Sequence, residues 1–147
     1  MSAYFDTSAL VKRYDPNEAG ASQVMAFLDS GSTVFTSTLT ALEVVSAFRI
    51  KERSGVLTTR TLQLALTAFE AHALVAYKQV APQPSTYLEG KRLLLSYKLR
   101  AYDALHLATA LTIVRVAGIQ PGQLEFWTAD QEQAAAARVE GLAVMLV

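Results

Sequence analysis

Short apolar runs alternating with stretches of helical spacing restrict this chain's fold more than any other feature. The runs are "SAYFD" (2–6), "TVFTS" (33–37), "LEFWT" (124–128) and "LAVMLV" (142–147). "LVAYKQVA" (74–81) is a further candidate whose boundary with the preceding helical stretch the sequence leaves open. Helical spacing fills the gaps over 7–14, 18–29, 41–54, 58–73, 85–98, 103–117 and 130–139, with Gly31, Gly55 and Gly118 as stop signals and Pro82 and Pro84 as punctuation. Short strands that alternate with helices predict a mainly parallel sheet with both faces covered, so the class is α/β. At 147 residues the chain is expected to form a single domain over 1–147 with a core that needs no staples.

The absence of cysteine excludes disulfides and thiolate metal sites and fits a reducing compartment. The start "MSAYFDTS" lacks the basic and apolar regions of a signal peptide. The most apolar segment, 104–117, is broken by His106, Thr109, Thr112 and Arg115, so a buried helix is expected rather than a membrane span. A cytoplasmic protein without membrane contact is the expectation. The hydrophobic fraction of 52% suggests apolar surface covered by another chain. Thirteen basic residues balance thirteen acidic ones, which argues at first against a nucleic-acid binder.

Four acids stand in apolar surroundings: Asp6, Glu43 in "LTALEVVSAF", Asp103 in "LRAYDALHLATAL", and Asp130 in "LEFWTADQEQ". Each lies at or near the start of a helical stretch, where a carboxylate accepts backbone N–H bonds and favours the helix dipole. Thr40 with Glu43 spells a capping box, and Thr7 or Ser8 can cap the first helix. Taken together the four invite a second account. In a parallel α/β sheet the carboxyl ends of the strands share one rim, where ligand sites gather. A cap contributes about 1 kcal/mol. Two carboxylates about 4 Å apart repel by about 4 kcal/mol at an effective dielectric near 20. Converging acids therefore call for protons or a cation, and an oxygen-only set suits Mg²⁺ or Mn²⁺.

Asp103 and His106 share a metal-ligand spacing, but the chain has only one such pair, so His106 and His72 are both expected to be satisfied histidines of the core. Thr7, Ser8 and Thr128 flank the acids; they either make local turns or orient a carboxylate, with Ser8 the better candidate for the second role.

"YFDTSALVKRY", "TSTLTALEVVSAFR", "LRAYDALHLATAL" and "WTADQEQAAAARVEGLAV", in this order, resemble the PIN-domain ribonucleases, in particular the VapC-type toxins of prokaryotic toxin–antitoxin pairs. The resemblance runs nearly end to end and is weakest over 58–90. It implies a three-layer α/β/α fold on a mainly parallel, roughly five-stranded sheet, and a Mg²⁺- or Mn²⁺-dependent endoribonuclease. It also implies that Asp6, Glu43, Asp103 and Asp130 are metal-binding catalytic acids, with Asp130 either completing the site or supporting it, and that Ser8 belongs to the site. A further acid found in some relatives has a counterpart in Glu132, for which a solvated helix face is the plainer account. The implied partners are an RNA substrate, a VapB-like antitoxin and a second copy in a homodimer. Leu10, Val11, Phe27, Val45 and Phe48 are candidates for an apolar docking groove.

Committing four acids to a metal leaves thirteen basic residues against nine acidic ones, which answers the charge objection. Arg49, Lys51 and Arg53, and Lys91, Arg92, Lys98 and Arg100, are candidate phosphate contacts or ordinary solvated faces. Two alternatives stay open. A PIN-like module can bind RNA or protein without cutting. A phosphatase forming an aspartyl-phosphate also begins with an acid after the first strand, but it expects a second acid where Ser8 stands.

Overall fold

The computed structural model describes residues 1–147. β1 (Ser2–Phe5) runs into a single helical turn, α1 (Thr7–Leu10), which tightens to a 3-10 turn over Val11–Tyr14. There follow α2 (Ala21–Leu28), β2 (Thr33–Ser37), α3 (Thr40–Arg53), α4 (Thr59–Val75) and β3 (Tyr77–Val80). The chain then forms α5 (Pro84–Ser96), α6 (Ala101–Ala117), β4 (Leu124–Thr128), α7 (Gln131–Val139) and β5 (Ala143–Leu146). The five strands make one sheet in the order β3-β2-β1-β4-β5, and every neighbouring pair is parallel.

The two-residue period of the strands divides their side chains between two helical layers. Ala3, Phe5, Val34 and Trp127 pack with Leu10, Val24, Val44, Phe48, Leu62 and Phe69, so α1 to α4 cover one face. Tyr4, Leu124 and Phe126 pack with Leu93, Leu107 and Leu142, and α5 to α7 cover the other. Small residues Ala104 and Ala108 let α6 lie close against the sheet. The result is the expected three-layer α/β/α arrangement. No helix is long and apolar enough to cross a membrane.

β1 sits where the order reverses: β2 and β3 extend to one side, β4 and β5 to the other. Such a switch point opens a crevice beyond the carboxyl ends of the central strands. Asp6 follows β1 directly, and Thr128 closes β4.

Several element boundaries differ from the sequence expectation. The expected helix over 7–14 is α only to Leu10. The one expected over 18–29 begins at Ala21, because Gly20 turns the chain with φ 82°. A side chain there would meet the Val147 backbone at 2.9 Å, so only glycine allows this packing. Leu74 and Val75 belong to α4 rather than β3, and both are more than four-fifths exposed. α6 starts at Ala101, which puts Asp103 inside its first turn.

Candidate active site

Asp6 is almost fully buried and every oxygen it has is engaged. Oδ1 accepts the backbone N–H of Ala9 at 2.9 Å, making Asp6, and not Thr7 or Ser8, the cap of α1. The Ser8 hydroxyl donates to Oδ1 at 2.7 Å, and the Thr128 hydroxyl to Oδ2 at 2.6 Å. Ser8 in turn accepts the N–H of Ala129 at 2.9 Å, which ties α1 to the end of β4. Burial raises the Asp6 carboxyl above its ordinary value, against the opposing pull of His106 and these donors.

Glu43 does not form the capping box expected with Thr40. α3 begins without any side-chain cap, and the Glu43 carboxylate turns inward. Its Oε1 accepts the Thr7 hydroxyl at 2.9 Å and lies 2.6 Å from Nε2 of His106. Burial would raise this carboxyl, but His106 and then Thr7 outweigh it, and the net displacement is downward. Thr40 is buried instead in a hydroxyl chain: it lies 2.8 Å from Thr36, whose hydroxyl donates to the Phe5 carbonyl at 2.9 Å. This chain fixes the start of α3 to β1 and β2.

Asp103 does not cap α6 either, since the capping position is Arg100. Arg100 donates through Nε to Asp103 at 3.1 Å, and its Nη2 lies 3.8 Å from Asp130. Asp130 caps α7 by accepting the Gln133 N–H at 2.8 Å. Gln133, fully buried, donates to the Asp103 carbonyl at 3.0 Å and so joins α7 to α6.

These residues frame an open pocket of about 610 Å³. Asp6, Glu43, Asp103, Thr7, Ser8, Arg100 and His106 line its polar side; Leu42, Val45, Ile50 and Tyr102 line its apolar side. Asp130 is not among the lining residues; its carboxylate lies 3.8 Å from Arg100, and its backbone N–H donates to the Thr128 hydroxyl that binds Asp6. As the side chains stand, no three acids or histidines converge as a single-ion cage.

A family model described as the PIN domain matches residues 3–139. The chain belongs to the PIN-domain family.

Solved structures extend this at the level of the fold. The PIN domain is similar to FitAcB from Neisseria gonorrhoeae, with TM-score 0.68, 18% identity, and coverage of 97% of this chain and 96% of the other. It is similar to VapC20 from Mycobacterium tuberculosis, described as a sarcin-ricin loop cleaving toxin, with TM-score 0.63, 17% identity, and coverage of 91% and 94%. It is also similar to VapBC2 from Rickettsia felis bound to a DNA fragment from their promoter, with TM-score 0.64, 12% identity, and coverage of 100% and 99%. No curated protein sequence matches the chain.

The donors of this PIN domain suit a hard divalent ion in kind. Three carboxylates line the pocket, there is no thiol, and the one imidazole on its wall has both ring nitrogens held by protein groups. Most of the candidate phosphate contacts are otherwise employed. Lys51 is bound to Asp15 and Glu18, Arg49 to Glu52, and Arg92 to Glu89 and Glu140. Lys98 lies 3.9 Å from Glu132, whose exposed carboxylate is outside the pocket. Arg100 is the one cation of that set on the pocket wall. Of the candidate groove residues, Leu10, Val11 and Phe48 are core and Phe27 packs against it; Val45 alone lines the pocket.

Two residues escaped the sequence as site components, Gln133 and His106, whereas Arg100 was already among the candidate phosphate contacts. Arg100 carried a signal, three positions before an acid on a helix. Gln133 and the His106–Glu43 contact carried none, because their partners lie 30 and 63 residues away.

Proposed function

We propose that this PIN domain is a divalent-metal-dependent endoribonuclease and the toxin of a toxin–antitoxin pair. The observation that carries the reading is the pocket itself: Asp6, Glu43 and Asp103 line one cavity at the switch point of a PIN fold, beside an exposed guanidinium. Asp6, Glu43 and Asp103 would hold the ion. A bound Mg²⁺ or Mn²⁺ supplies an acidified water and neutralises charge on the non-bridging phosphate oxygens. Hydrolysis breaks one P–O bond, the water oxygen joins phosphorus, and the proton passes to the leaving oxygen.

The protein's own groups prepare that reaction. Ser8, Thr128 and the Ala9 N–H fix the rotamer of Asp6; Thr7 fixes Glu43. Arg100, whose fork matches a phosphate, contacts the RNA backbone, and Asp130 keeps it at the pocket mouth. VapC20 is described as a sarcin-ricin loop cleaving toxin, and another structural neighbour as a toxin-antitoxin complex from Klebsiella pneumoniae. A VapB-like antitoxin fits the exposed apolar wall formed by Leu42, Val45 and Ile50 on α3. A second copy fits the exposed Tyr87, Leu88 and Leu95 on α5.

The test expresses wild type and Asp6→Asn in a bacterium and sequences RNA 5′ ends. Growth arrest with discrete new ends is expected for the wild type alone; equal profiles overturn the reading.

A second reading, a module that holds RNA or protein without cutting, is favoured by the absence of a three-ligand convergence. It predicts no cleavage with Mn²⁺ and no thermal shift on adding the ion.

A further inference from the structure

His106 and Tyr4 are the buried polar groups that the proposed reaction leaves without a task. Tyr4 is fully buried in β1, its ring stacked 5.6 Å from Phe126 at an interplanar angle of 2°. Its hydroxyl lies 2.7 Å from Nδ1 of His106, which is itself 2% exposed. The other ring nitrogen, Nε2, lies 2.6 Å from Glu43 Oε1. Three residues from β1, α6 and α3 thus form one line from the sheet interior to the pocket wall.

The chemistry of the line fixes its direction. An ionised carboxylate only accepts, so Nε2 carries the hydrogen given to Glu43. Nδ1 then takes the Tyr4 hydroxyl hydrogen; the tautomer is assigned from these partners. A ring held at both nitrogens cannot turn, and its anchor is a buried phenol stacked on Phe126. Besides His106, Glu43 is held by the Thr7 hydroxyl, which also lies within reach of Thr40 and His106, and α3 starts without a side-chain cap.

We infer that His106, backed by Tyr4, is a positioning residue: it fixes the Glu43 carboxylate toward the pocket so that its remaining oxygen meets a divalent ion. The claim rests on the metal-dependent reading above. It also assigns the "DALH" spacing, because His106 does not share a ligand shell with Asp103 but faces inward to an acid on another helix. Outer hydrogen-bond partners of this kind typically change metal affinity by about 10–100-fold.

Asparagine and glutamine separate positioning from simple satisfaction of the core. A glutamine amide reaches about as far as Nε2 and can still donate to Glu43; an asparagine amide reaches about as far as Nδ1 and serves Tyr4 alone. The experiment titrates full-length wild type, His106→Gln and His106→Asn with Mn²⁺, reading free ion by electron paramagnetic resonance, with thermal melts alongside. Binding about 10–100-fold weaker in the asparagine variant, with the glutamine variant within about threefold of wild type, is the expected result. Equal affinities, or the reverse order, overturn the inference. Tyr4→Phe removes one oxygen without changing shape and covers failure of either substitution to fold. It is expected to weaken Mn²⁺ binding several-fold, and an unchanged affinity overturns the inference. If wild type binds no Mn²⁺, the nuclease reading fails, and crystal structures of the two variants decide the positioning claim by itself. The glutamine variant should keep the wild-type Glu43 side-chain conformation and the asparagine variant should lose it; the same Glu43 conformation in both overturns the claim.

Discussion

Two polar clusters in this protein use the same residue types to opposite ends. In the first, Asp15 and Glu18 meet Lys51, and Lys12 reaches Glu18 at 3.6 Å while donating to the Ala19 carbonyl. Two acids face two ammonium groups, and the loop before α2 is strapped to α3. Burial works against the charge on Lys51, but Asp15 and Glu18 outweigh it and hold its pKa above the ordinary value. In the second cluster Asp6, Glu43 and Asp103 share a pocket whose one permanent cation, Arg100, stands at its exposed edge with 83% of its side chain accessible. The first cluster is complete within the chain. The second has three carboxylates to one protein cation, an imbalance that the proposed divalent ion would answer.

Four substitutions would break or sharpen this contrast. The largest effect is expected from Glu43→Gln: RNA cleavage with Mn²⁺ should fall about 10³-fold, which is ~4 kcal/mol of barrier. The folded structure should be retained, as far-UV circular dichroism would check. In the balanced cluster the expectation inverts. Lys51→Met strands the buried Asp15 carboxylate and should cost about 2 kcal/mol in urea unfolding, while cleavage per folded molecule is unchanged.

Asp6→Asn comes next and should stabilise the fold by about 1 kcal/mol at neutral pH, raising the melting temperature by roughly 2–4 °C while cleavage is lost. The sign follows from the raised carboxyl. Between the unfolded value near 3.8 and its higher folded value, the native state holds more protons than the unfolded one. Stability from this group therefore falls as pH rises through that window. The advantage of asparagine should be present above the window and vanish below it, as melts across pH would show. Glu43 runs the other way: its lowered carboxyl adds stability above the ordinary glutamate range that is lost as pH falls through the folded value. The smallest effect is expected from Arg100→Ala. Its exposed ion pairs contribute little to stability, so the melt should not move, whereas KM for RNA should rise about fivefold.

What the sequence disclosed depended on range. Thr33–Ser37 and Leu124–Thr128 were legible because β-branched and aromatic residues dominate both short runs. The end of α4 was not, because Leu74 and Val75 continue an apolar run although both are exposed, so composition misplaced the boundary. All four acids were visible as misfits, yet their local grammar misled. Thr40 and Glu43 spell a cap that does not form, while Asp130, spelled the same way, does cap its helix. The difference lies in His106, a partner 63 residues from Glu43 that no local pattern announces.

Thr7 and Ser8 are neighbours on one helical turn, but Thr7 serves Glu43 and Ser8 serves Asp6. Two arms of the site that come from distant parts of the chain are thus geared to a single four-residue element. A disturbance of that turn shifts both carboxylates together, so defects introduced at Thr7 and Ser8 should combine non-additively in a double-mutant cycle. The turn acts as a hinge pin, and the spacing between the two carboxylates can be no steadier than the pin itself.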